Sequence, residues 1–197
     1  MTTEHREVER KFEAPDGTPL PARLGEMSVG DAEELHLVAT YHDTASLRLL
    51  GEGTTLRYRT GEGDADGWHL KLPAGADARR EVHVAGGPDA LPDEVLQAVQ
   101  HIAGSEAVTP VAELCTTRVE RAITDAGGRR VAVLDDDTVV GRRVSDGVVV
   151  AWHELEAELA PGVDDALLEE IADALHAAGW TAASPLAKVA RVLHHGQ

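Results

Sequence analysis

Apolar and polar residues alternate with a period of two through most of this chain, and that alternation restricts the fold more than any other feature. Nine short runs carry it, at 5–13, 37–44, 54–60, 67–72, 79–84, 115–124, 129–135, 139–144 and 147–159, mostly parted by Gly, Asp or Pro. Successive side chains of a strand point to opposite faces. Each run therefore reads as a half-buried strand, and their succession predicts an antiparallel barrel or strongly curled sheet. Helical signals are fewer. Asp93 opens DEVLQAVQHIAG, which ends at a glycine, and Leu167, Ile171, Ala174, Leu175 and Ala178 form an apolar stripe that stops at Gly179. Ser184 and Pro185 predict the N-cap and first turn of a last helix, PLAKVARVLHH. The expected class is α+β, mainly β, with three or four peripheral helices.

The charges follow the same period. In EHREVERKFEAP at 4–15, Glu7, Glu9 and Lys11 share one face and Val8, Arg10 and Phe12 the other. TLRYRT sets Arg57 and Arg59 opposite Leu56 and Tyr58, WHLKLP puts Lys71 in phase with His69, and RREVHV puts Arg79 in phase with Glu81. In WHELEAELAPG, Glu154, Glu156 and Glu158 alternate with Leu155, Ala157 and Leu159. In a sheet with one wet face these charges would simply meet solvent. A closed barrel of about eight strands has an interior that holds side chains or one small ligand, and there the two signs would converge. Lysine usage adds a clue: of 18 Lys and Arg residues only Lys11, Lys71 and Lys188 are lysine. Where a generic surface cation would serve, the chain uses Arg. A lysine ammonium is a compact charge that can donate a proton or sit against phosphate as a point charge.

Composition excludes several functions. A formal net charge of −17 repels nucleic acid and anionic membrane, and 3% aromatic residues leave little for stacking on bases. The first 15 residues lack the order of a signal peptide, and no apolar run approaches the roughly 20 residues that span a bilayer, so a cytoplasmic protein is expected. Cys115, the only cysteine, can form no intramolecular disulfide, and its AELCTT setting reads as a small buried hydrophobe. Neither a repeat nor a flexible linker divides the chain, so residues 1–197 are expected to form one domain.

Glu7-Val-Glu9-Arg-Lys11 resembles the ExExK motif of the CYTH family, the triphosphate tunnel metalloenzymes. An ordered series extends the resemblance over essentially the whole chain: YHDT at 41–44, LRYR with Arg57 and Arg59, WHLKLP with Lys71, RRE with Arg79 and Glu81, ELEAEL with Glu154 and Glu156, and SPLAK with Lys188. It is most similar to the CYTH modules of bacterial proteins that continue into a helical, His-rich CHAD domain, with a junction expected near 194–197. The resemblance implies an eight-stranded antiparallel closed tunnel barrel with charged side chains inside and helices outside. It implies hydrolysis of inorganic or thiamine triphosphate, removal of RNA 5′ phosphates or cyclisation of ATP, with a divalent metal.

Carried onto this chain, the resemblance implies that Lys11, Arg57, Arg59, Lys71, Arg79, Arg118 and Lys188 hold the phosphate chain, with Glu81 in support. Arg118 fits the family position better than Arg121, which has the opposite phase. Glu7, Glu9, Glu154 and Glu156 would bind metal, joined by an acid in VAVLDDDTV, where Asp135 is favoured over Asp136 and Asp137. Some members carry a further Glu four residues before that Asp, where this chain has Val131. Carboxylates without Cys or spaced His ligands suit Mg²⁺ or Mn²⁺ rather than zinc. Lys71, with Lys11 as rival, would stabilise or protonate the leaving group. No aromatic pair is evident to clamp a thiazolium or adenine, Trp68 and Trp152 reading as barrel packing, which favours inorganic triphosphate. A non-catalytic polyphosphate-binding module, a thiamine triphosphatase and an adenylate cyclase are the alternatives. Arg142 and Arg143 lie outside the matched motifs and are expected to matter little.

Overall fold

The computed structural model describes residues 2–15, 17–75 and 78–196. Ten strands follow in chain order: β1 (Thr2–Glu13), β2 (Arg23–Leu24), β3 (Met27–Asp43), β4 (Thr55–Thr60), β5 (Gly67–Pro73), β6 (Ala78–Val84), β7 (Thr109–Thr124), β8 (Arg130–Arg143), β9 (Val149–Leu159) and β10 (Thr181–Ala182). The helices are α1 (Arg48–Gly51), α2 (Asp93–Ala103), α3 (Ala166–Ala177) and α4 (Lys188–Leu193). Eight strands pair antiparallel in the order β1, β6, β5, β4, β3, β7, β8, β9, and β9 pairs back onto β1 through Glu9 with Glu158 and Lys11 with Glu156, which closes the barrel. β2 and β10 are short additions on β3 and β1.

The apolar phase of the strands faces out, under the helices. Phe12, Leu134, Leu155 and Ala157 are buried beneath Leu168, Ile171 and Leu175 of α3. Leu56, Trp68, Leu70 and Val84 are buried beneath Val95 and Val99 of α2. Fully burying side chains of this size stabilises by about 1.5–3 kcal/mol each, so the helices turn what would be a wet outer surface into two cores. Arg10, on the same outer phase, reaches Glu169 of α3. The charged phase faces in.

At one end the arrangement inverts. α4 packs into the mouth of the barrel, where Val189, Val192 and Leu193 meet the inward residues Ala39, Tyr41, Leu114 and Val139. Gly141 makes this possible, since a Cβ there would lie 2.4 Å from Val192. Gly61, at φ +105° in the turn after β4, is required as well, because a Cβ would lie 2.0 Å from the carbonyl oxygen of His36.

Several expectations are corrected. The runs at 129–135 and 139–144 are one strand, β8. β3 begins ten residues before the expected run, and β7 six before. The last helix starts at Lys188 after an extended Ala187, and Ser184 does not cap it. Cys115 is exposed on the outer phase of β7, paired in register with Val38 and Val140, which are exposed as well, and among the described residues no helix covers that row. Gln197, the last residue of the expected junction, lies outside the described residues. Among the described residues no helix is long and apolar enough to cross a membrane.

Candidate active site

The barrel encloses a tunnel of about 850 Å³ whose wall is built from the inward phase of the strands. β1 contributes Glu7, Glu9 and Lys11, β4 Arg57 and Arg59, β5 His69 and Lys71, and β6 Arg79 and Glu81. β7 adds Arg118, β8 Asp135, β9 Glu156 and Glu158, and α4 sends in Lys188. Glu154 is buried beside them, against Lys188 at 2.8 Å and Lys11 at 3.6 Å. The residues to which the resemblance gave a binding or supporting role therefore converge on one interior.

They form two groups. In the first, Glu7, Glu9 and Glu158 each bring a carboxylate oxygen within 4.8 Å of the others. Lys71 is ion-paired to Glu7 and lies 3.8 Å from Glu9 and 3.9 Å from Glu81. Burial opposes charge on Glu9, but Lys71 and Lys11 outweigh it and hold its carboxyl well below the usual range. Glu158 goes the other way: burial and the neighbouring Glu7 push it up to about 8. Of the three carboxylates, Glu7 and Glu9 are compensated by Lys71 and Lys11, whereas Glu158 is left under burial and the like charge of Glu7.

In the second group the carboxylates are already matched. Arg118 spans Asp135 at 2.5 Å, Asp137 at 2.7 Å and Glu156 at 3.2 Å. Lys188 lies between Asp137 at 3.1 Å, Glu154 at 2.8 Å and Glu156 at 2.7 Å, and Lys11 is ion-paired to Glu156. Asp137 is held down at about 2, its burial outweighed by Arg118 and Lys188, while burial pushes Asp135 up to about 6 against the pull of Arg118. Both aspartates face inward, whereas Asp136 faces out to His153. Arg121 has the outer phase, so Arg118 is the cation this strand supplies to the tunnel.

The cations along β4 and β6 are less engaged. Arg57 donates to the Tyr41 hydroxyl at 3.2 Å and lies 4.0 Å from Glu81, and Arg59 pairs with Glu62 of the following turn at 2.5 Å. The Nε atoms of both arginines are buried without a hydrogen-bond partner, as are Glu7 Oε2 and Asp135 Oδ1. Arg79 donates only to the adjacent Ala78 carbonyl among the bonds of the described residues. Buried donors and acceptors left open in this way cost stability unless a ligand meets them.

Sequence reasoning passed over several participants. Glu158 shares the phase of Glu154 and Glu156, and that phase was its only signal. Asp137 lies two residues from Asp135 on the same face. His69 is in phase with Lys71, and one ring nitrogen faces Glu81 at 2.8 Å and the other the Ala65 carbonyl at 2.9 Å. Tyr41 and Asp43 belong to YHDT. The buried Asp43 carboxylate accepts from the backbone N–H groups of Thr44, Leu49 and Leu50 and thereby organises α1. Trp68 lies in the core under α2, and Trp152 packs at the plugged end, where its indole donates to Glu154 at 2.7 Å.

Comparison with known proteins agrees with this geometry. The sequence model of the CYTH domain matches residues 5–191. Uncharacterized proteins from two strains of Mycobacterium tuberculosis are 37% identical over 96% of this chain, which spans 40% of their length. Among solved structures, a candidate adenylate cyclase from Bacillus halodurans superimposes with a TM-score of 0.67 at 18% identity, covering 95% of this chain and 97% of that one. A candidate adenylyl cyclase from Hippeastrum, described as having a dominant triphosphatase activity, gives a TM-score of 0.54 at 13% identity, covering 97% and 95%.

Proposed function

Since this chain belongs to the CYTH domain family, we propose that it is a divalent-metal-dependent hydrolase that cleaves a phosphoanhydride bond of inorganic triphosphate inside the tunnel. The observation that carries this reading is the placement of the carboxylate trio Glu7, Glu9 and Glu158, with Glu7 Oε2 buried and open, beside arginines with open donors. The dominant triphosphatase activity of the Hippeastrum protein supports the reaction class. Among the described residues Tyr41 is the only Phe, Trp or Tyr on the cavity wall, and its hydroxyl is bonded to Arg57. A wall of charges without an aromatic clamp suits a substrate that is phosphate throughout.

Phosphoryl transfer asks a protein for positioning and for neutralisation of charge more than for covalent chemistry. Arg57, Arg59 and Arg79 offer donors on one side of the tunnel, and charge-assisted bonds from guanidinium to phosphate are strong and directional. Lys11 and Lys71 flank the acid trio and supply positive charge where the leaving phosphate gains negative charge. Glu7, Glu9 and Glu158 would hold the cation, and an all-carboxylate set suits Mg²⁺ or Mn²⁺. When bound, such an ion offsets charge on phosphate oxygens and makes its water more acidic. Glu154 and Glu156, held by Lys11 and Lys188, act here mainly by placing those ammonium groups.

A phosphate-release assay comparing triphosphate, pyrophosphate, ATP, thiamine triphosphate and long-chain polyphosphate, with and without Mg²⁺ or Mn²⁺, tests the reading. Triphosphate is expected to be the preferred substrate. Tight binding of triphosphate without phosphate release under any of these conditions would establish a binding module instead.

Two further outcomes are expected. Arg57→Ala or Arg59→Ala weakens triphosphate binding in calorimetry by about 1.5–3 kcal/mol, the worth of a charge-assisted bond. Arg142→Ala, whose exposed side chain pairs with Glu113 at 2.8 Å, leaves binding unchanged. Equal losses at both places would mean that overall charge governs affinity. Second, Mg²⁺ stabilises the wild-type protein against thermal unfolding, by about 2.7 kcal/mol at a hundred times its dissociation constant. Glu158→Gln removes most of that gain, and an unaltered gain would place the ion elsewhere.

A further inference from the structure

Arg143 joins two parts of the chain at the plugged end of the tunnel. Its Nε and Nη2 donate to the two carboxylate oxygens of Asp146, in the β8–β9 turn, at 2.9 and 2.8 Å. Its Nη1 donates to the carbonyl oxygens of Leu193 at 2.9 Å and His195 at 3.2 Å, with that of Val192 at 3.5 Å. These carbonyls close α4, and the end of a helix leaves such groups without internal partners. A cation there also complements the helix dipole.

α4 has six residues, too few to be stable alone. It is held by the apolar contacts of Val189, Val192 and Leu193 and by this guanidinium. Its first residue is Lys188, which reaches from the apolar plug into the carboxylates of Asp137, Glu154 and Glu156. Gly141, two residues before Arg143 on the same phase of β8, fixes how closely Val192 approaches. One end of the short helix is thus tied to the β8–β9 turn while the other carries a tunnel cation.

We propose that Arg143 is a positioning residue for the tunnel: by fixing the C-terminal end of α4 to the β8–β9 turn, it sets where the Lys188 ammonium stands among the carboxylates. Its neighbour Arg142 has no such part. The functional consequence rests on the tunnel being the anion site. The structural part, seating of α4 and of Lys188, stands apart from that reading and can be measured without ligand.

The experiment compares the full chain with Arg143→Ala, Arg143→Lys, Lys188→Ala and the Arg143→Ala/Lys188→Ala double variant. Without ligand, amide hydrogen exchange over 188–193 and the rate of Lys188 modification by an amine-acylating reagent should both rise about tenfold or more in Arg143→Ala. Exchange in β1 and β9 should stay as in the wild type. Arg143→Lys, able to reach one carbonyl, should restore part of the protection. With tripolyphosphate in chelator, Arg143→Ala should bind about tenfold more weakly, and the double variant no more weakly than Lys188→Ala alone. Unchanged exchange and acylation in Arg143→Ala overturn the proposal, and so does a double variant whose loss equals both single losses combined. If the wild type binds no tripolyphosphate, the reading of the tunnel fails, while the exchange and acylation arms still decide the role of Arg143. Should Arg143→Ala fold poorly, Asp146→Ala frees the other arm of the fork and should give a smaller rise in both rates, with no rise counting against the proposal.

Discussion

Replacing Glu7 and Glu9 together by glutamine should lower metal-dependent phosphate release by at least about a thousandfold, ~4 kcal/mol of barrier. The substitution keeps the shape of both side chains and removes two of the three carboxyl groups available to a divalent cation in the acid trio. Binding of tripolyphosphate without metal should survive or tighten, because Arg57, Arg59 and Arg79 are untouched and two repelling carboxylates are gone. Phosphate release and calorimetry on the same preparation separate the two effects. The corresponding change at Glu154 and Glu156 should behave differently. Those carboxylates hold Lys11 and Lys188, so their loss frees cations and costs stability as well as activity. If the Glu7/Glu9 variant hydrolyses triphosphate at the wild-type rate, the metal does not bind on β1.

Arg118→Ala should be the most destabilising single change in the tunnel, by about 3–5 kcal/mol in urea unfolding. The guanidinium is 12% exposed and serves Asp135, Asp137 and Glu156, with Asp137 fully buried. Without it three carboxylates remain in a confined space with Lys188 and Lys11 as their nearest compensation. Adding Asp137→Asn to Arg118→Ala should recover part of the loss, since a neutral amide needs no counter-charge. Arg142→Ala, which breaks an exposed pair, should change stability by less than about 1 kcal/mol. Similar losses from the buried and the exposed arginine would show that the carboxylates are stabilised by water instead.

What could be read from the sequence was whatever repeats along single strands. The inward phase of Glu7, Glu9 and Lys11 follows from two-residue periodicity once the ring closes, and the three scarce lysines, Lys11, Lys71 and Lys188, all line the tunnel. Relations created by closure were not legible. Glu158 joins Glu7 and Glu9 only because β9 pairs with β1 in a register that sets Glu9 against Glu158. The acidic DDDT stretch looks like a turn between strands, yet β8 runs through it, with Arg118 paired to both inward aspartates and Lys188 to Asp137. Ser184 and Pro185 look like a helix start, but the Ala183 N–H bonds to the Lys11 carbonyl and keeps the chain extended there. Cys115 was misjudged because an apolar setting implies burial only where something covers that face. Arg143 was set aside because its partners are backbone carbonyls some fifty residues away, and no side-chain pattern marks them.

The pairing of β1 on both sides also determines the order in which this protein can assemble. Its neighbour β9 follows it by most of the length of the chain, Glu9 pairing with Glu158. A chain emerging from the ribosome can form the β3 to β6 meander early, while Glu7, Glu9 and Lys11 remain hydrated on a strand with one free edge. The tunnel comes into being only when β9 arrives, so desolvation of the charges and closure of the ring fall in one late step. Loop closure over such a distance is slow, and until then the exposed edges of β1 and β9 are open to pairing with other chains. The charges that give the tunnel its chemistry thus also guard its unfinished form, since a strand face lined with carboxylates and ammonium groups is a poor template for aggregation.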